Sequence, residues 1–80
     1  MPRYFFHQRR PLGLLVDPEG SDLTGVDAAR AEAIESAREL MSESILDGWD
    51  ISARSFEVAD ENDQTVFILG FKEAYSSEGA

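Results

Sequence analysis

Ala28-Ala29-Arg30-Ala31-Glu32-Ala33-Ile34-Glu35-Ser36-Ala37-Arg38-Glu39-Leu40-Met41 is a run of strong helix formers, and its reading decides the fold. At 100° per residue, Val26, Ala29, Ala33, Ala37, Leu40 and Ser44 fall on one stripe, flanked by Ile34, Met41 and Ile45. The opposite side carries Glu32, Glu35, Glu39, Glu43 and Asp47 in one acidic file. Small residues on the inner stripe let such a helix lie close on a sheet. Upstream, Thr24 is positioned as an N-cap with Asp27 three residues on, a variant of the capping box. Downstream, Gly48 is a left-handed stop after Asp47, and Trp49 is placed to cover the helix end.

Working outward, the flanks alternate with a period of two. Residues Arg3 to Arg9 form a strand with Tyr4, Phe6 and Gln8 on one side and Phe5, His7 and Arg9 on the other. After Pro11, a second strand runs from Leu12 to Val16, with Leu15 opposed to Leu12, Leu14 and Val16. Asp17-Pro18-Glu19-Gly20 is a turn, because proline presets φ and glycine accepts the exit geometry. Beyond the helix, Arg54 to Ala59 and Gln64 to Phe71 are strands joined by the polar loop Asp60-Glu61-Asn62-Asp63. The last strand is apolar on both sides.

The expectation is α+β in the order ββαββ: one four-stranded, mostly antiparallel sheet with a single long helix on one face. Residues 1–75 form one domain, and 76–80 a flexible tail. Ranking the first and fourth strands as most apolar puts them at the centre, in the order 2-1-4-3.

Eighty residues with 42% apolar side chains suit one small domain. With no cysteine, neither disulfides nor thiolate metal sites arise. Three arginines open the chain, yet the net charge is −9, which disfavours a phosphate backbone as partner. The opening ten residues read as neither a signal peptide nor a membrane span, so a cytoplasmic protein is expected.

Several elements together resemble a known family. These are the opening Pro2-Arg3-Tyr4-Phe5-Phe6-His7, the Asp17–Gly20 turn, the helix start Ala28–Ala33, Arg54–Val58 and the closing Phe67–Phe71. They resemble a family of short bacterial proteins, frequent in rhizobia, known only as a domain of unknown function. The resemblance runs from Met1 to about Ala74 and carries no assigned activity, so no catalytic residue is transferred; no cofactor and no metal site is expected from the residues. Arg9-Arg10-Pro11-Leu12 departs from the longer acidic–glycine turn common in that family.

No motif supplies a catalytic set. His7, the single histidine, has no second histidine or cysteine for metal binding; an enzyme would have to pair it with a carboxylate such as Asp17 or Glu57. The Asp60–Asp63 loop lacks the spacing of a calcium loop. What remains is interaction. One helix covers one face of a four-stranded sheet, leaving Phe5, Leu15, Val66 and Ile68 on the other as an apolar patch of interface size. The expected function is a non-enzymatic interaction or regulatory module, self-associating as a homodimer or holding another protein through that face. The alternatives are an acidic mimic of nucleic acid, inhibiting a basic protein through Glu32, Glu35, Glu39, Glu43 and Asp47, or a small enzyme using His7.

Overall fold

β1 (Arg3–Arg10) alternates as its sequence dictates, and every other element is placed against it. The computed structural model describes residues 1–76; of the expected tail 76–80, residues 77–80 lie outside them. β2 (Gly13–Leu15) folds back antiparallel on β1 through a turn at Pro11–Leu12, pairing Arg10 with Gly13 and Gln8 with Leu15. A two-residue strand, β3 (Ser21–Asp22), pairs with the start of β1 at Arg3 and Tyr4. Then come α1 (Val26–Leu46), β4 (Ser55–Ala59), β5 (Thr65–Gly70) and a 3₁₀ turn at Phe71–Ala74.

The sheet is antiparallel throughout, with β2-β1-β4-β5 as its main order and β3 added beside β1. It therefore has five strands rather than four, because the chain between the second strand and the helix touches β1 once more. The expected strand order is also corrected: β4 pairs with β1, and β5 lies at the edge. Apolarity favoured β5 for the centre, but the outward charges of β1 and β4 neutralise each other across the pair. Arg9 Nη2 lies 2.7 Å from Glu57 Oε2.

The helix packs on the face that carries Tyr4, Phe6, Phe56, Val58, Phe67 and Leu69. Ala29, Ala33 and Ala37 are fully buried, four residues apart, so no side chain holds the helix away from the core. Phe71 from the 3₁₀ turn joins this layer, its ring 5.0 Å from that of Phe56. At the helix start, Gly25 and not Thr24 is the cap, and no side chain bonds to the first turn. At the helix end, Gly48 takes φ 89°. The N–H of Gly48 donates to Ile45 and that of Trp49 to Ser44, at 3.0 and 2.8 Å, the paired bonds of a Schellman closure.

Candidate functional site

The face of the sheet away from the helix is arranged in three rows: Arg9, Ser55, Gly70; His7, Glu57, Ile68; and Phe5, Ala59, Thr65. Its middle holds the Arg9–Glu57 ion pair, so the expected apolar patch does not form there. Phe5 and Ile68 share this face with β4 between them. Leu15 stands opposite Gln8, which belongs to the helix side, because the hairpin turn sets Arg10 against Gly13. Val66 occupies a bulge where Thr65 pairs with Ala59 and Phe67 with Val58, and it packs against the core cluster. The four residues are thus spread over different environments.

Phe5 is half-buried for a local reason. The Asp17–Gly20 turn closes against β1 between β2 and β3. Asp17 Oδ2 accepts the Phe6 N–H at 3.1 Å, and Oδ1 accepts those of Glu19 and Gly20 at 3.3 and 3.2 Å. Gly20, at φ 71°, lies so near that a Cβ there would come within 2.9 Å of the Phe5 ring. Burial pushes the Asp17 carboxyl up, but the N–H groups of Phe6, Gly20 and Glu19, with His7 nearby, hold it below its ordinary value.

The same turn engages the histidine. The Asp17 backbone N–H donates to His7 Nδ1 at 3.0 Å. The Asp17 carboxylate spends its oxygens on backbone donors, and Glu57, although paired with His7 across the strands, bonds Arg9 Nε at 2.8 Å. Neither carboxylate forms a dyad with His7. Among the described residues no group of three or more histidine, aspartate and glutamate side chains is placed to hold a metal ion.

Glu32, Glu35, Glu39, Glu43 and Asp47 are all exposed. The ion pairs among the described residues are Arg3–Asp22, Arg9–Glu57 and Arg30–Glu73, so none neutralises this file.

A concavity of about 340 Å³ lies beside the last turns of the helix. Met41, Ser42 and Ile45 form one wall, Trp49 to Ser52 another, and Tyr75 closes a third with Arg38 at the rim. Ile51 is its buried floor, whereas Trp49 is 71% exposed and does not cover the helix end. The Schellman closure carries Trp49 past the stop, and Arg38 Nε donates to the Ala74 carbonyl, pinning the segment that presents Tyr75. Asp50 stands at the edge, and hydrogen bonds from the Ser52 backbone and hydroxyl lower its carboxyl from the ordinary value. The spacing Met41, Ile45, Trp49 repeats every four residues across the glycine stop, a signal in the sequence that the cap assignment obscured.

These features define a small two-layer α+β domain with a cleft at the helix C-terminus where Met41, Ile45, Trp49, Ile51 and Tyr75 alternate with Arg38, Ser42, Asp50 and Ser52. The chain belongs to the DUF6894 family, a domain of unknown function, whose model matches residues 3–72. No curated protein and no solved structure matches it. Among the described residues, no helix is long and apolar enough to cross a membrane.

Proposed function

We propose that the protein is a non-enzymatic interaction module that takes a basic, apolar-anchored segment of another protein into the cleft at the helix C-terminus. The observation that supports this reading is Trp49, held exposed beside Ile45 and Tyr75 above a buried Ile51. Rigidly presented aromatic side chains around an apolar floor are the usual composition of a binding hot spot. Charge argues for the partner's sign. Arg38 and Asp50 on the cleft offset each other, so the sign comes from Glu35 and Glu39, which follow Arg38 and Ser42 around the helix, and from the chain's −9. Lysine or arginine beside the apolar anchor would raise both encounter rate and selectivity. A cytoplasmic setting in a bacterium of rhizobial type belongs to the same proposal.

The unpaired file Glu32, Glu35, Glu39, Glu43 and Asp47 favours a second reading, an acidic inhibitor of a nucleic-acid-binding protein that uses the helix face alone. One titration separates the two. An amphipathic leucine–lysine peptide, and its serine–lysine counterpart of equal charge, are added while Trp49 fluorescence is followed. The cleft reading expects a blue shift with the first peptide only, weakened ~10-fold or more by Ile45→Ser. Binding that ignores Ile45→Ser and vanishes in Glu35→Gln/Glu39→Gln/Glu43→Gln selects the acidic inhibitor. No change in emission with either peptide overturns the cleft reading.

A further inference from the structure

We infer that β5 is a dimerisation strand that pairs edge to edge with β5 of a second copy, forming one continuous sheet through both molecules. Its sequence, Thr65-Val66-Phe67-Ile68-Leu69-Gly70, has no charge and no proline, with Phe67 and Leu69 on the covered face and Ile68 at the centre of the open one. Yet in the single chain β5 is an edge. Edge strands are ordinarily blunted by shortness, charge, proline, a β-bulge or a covering loop. The opposite edge of this sheet follows that rule: β2 has three residues, β3 has two, and Asp17 fills the gap between them. At the other edge a bulge at Val66 and the Glu73 bond to Gly70 bound the strand, and between them Phe67–Leu69 stays uncharged and open.

The backbone geometry identifies what is open. The Phe71 N–H donates inward to the Arg54 carbonyl at 2.9 Å, so by antiparallel alternation Leu69 also faces β4 while Ile68 and Gly70 face outward. The Gly70 N–H is closed by Glu73 Oε2 at 2.7 Å, which ends the free edge there. At its centre stands Ile68, whose side chain is 56% exposed on the far face. A two-fold axis at Ile68 lets the two copies exchange N–H and carbonyl bonds at that residue and sets Val66 of each beside Gly70 of the other. Such a contact is self-complementary, as a closed dimer requires. Within Thr65–Gly70 it brings no like charges into register.

So short a ladder lies at the small end of specific interfaces, and a reversible dimer with a micromolar dissociation constant is expected. Sedimentation equilibrium from ~1 µM to ~1 mM should show it, and added salt should tighten it by screening the repulsion between acidic copies. Ile68→Pro removes only an outward N–H, which the monomer does not use, and Ile68→Lys puts a charge on the edge. Each should weaken association at least ~10-fold with an unchanged far-UV spectrum. Should the proline variant unfold, Ile68→Lys decides alone, since its side chain is already exposed. Ile45→Ser, in the cleft, should leave the dimer intact, so this inference and the cleft reading stand or fall separately. A wild-type chain that stays monomeric in high salt at the highest concentration overturns it, as does a dimer indifferent to the Ile68 changes.

Discussion

Asp17 and His7 meet through the backbone of one and the ring of the other: the Asp17 N–H donates to His7 Nδ1 at 3.0 Å. The Asp17 carboxylate meanwhile replaces the strand missing beside Phe6. Removing that carboxylate leaves three N–H groups without their acceptor, two of them part-buried. Asp17→Ala should cost about 1–3 kcal/mol, the range for stranding a buried donor. Asp17→Asn should cost less, because its single carbonyl serves Phe6 or the Glu19–Gly20 pair but not both. Urea titrations that show a lower midpoint at unchanged slope would confirm the ordering.

Proton linkage at Asp17 has a defined sign. Its folded pKa is below the ordinary value, so between the two values the unfolded chain binds more protons and stability rises with pH. The contribution is complete above ~3.9, the unfolded value, and is lost as pH falls through the folded one. The stability difference between wild type and Asp17→Asn, measured from neutral pH into the acid range, should therefore shrink in acid. A difference independent of pH would contradict the hydrogen-bond account.

Two glycines with positive φ separate strain from contact. At Gly20 a Cβ would fall 2.8 Å from the Tyr4 carbonyl oxygen, a backbone atom that cannot move aside. At Gly48 a Cβ would meet nothing within 4 Å. Gly48→Ala should thus cost about 1–2 kcal/mol, the left-handed penalty alone. Gly20→Ala should lose that and more, by displacing the turn from β1. Thermal melts would rank them, and the loosened Asp17–His7 contact should show as a shifted His7 signal in NMR only for Gly20→Ala.

The helix, its alanine stripe and the two hairpins were legible because each is a local period: 3.6 in the helix, two in the strands. Leu15 was assigned to the wrong face for a reason that local period cannot reveal. Its side depends on the pairing Gln8–Leu15, and a one-residue change in turn length reverses it. Strand order failed similarly, since apolarity ranks strands but does not show that Glu57 and Arg9 neutralise each other between β4 and β1. The Asp17 site was half visible: Asp-Pro-Glu-Gly announced a turn, while its docking on His7 is a tertiary event. The shelter usual for large aromatics predicts that Trp49 covers the helix end, but the Schellman bonds carry it into the open.

Close approach of helix and core makes opposite volume changes informative. Ala33 is fully buried, and leucine there adds three carbons where no space exists. Overpacking of this kind costs about 1–3 kcal/mol. Phe71 is the largest fully buried side chain, and Phe71→Ala leaves a void against Phe56 that should cost about 3–5 kcal/mol. A domain of this length has roughly 4–12 kcal/mol in all. Phe71→Ala should therefore lie near the edge of folding at physiological temperature, while Ala33→Leu remains folded with a lowered midpoint. Calorimetry would check both, and an Ala33→Leu chain as stable as wild type would mean that the helix stands further from the core than described.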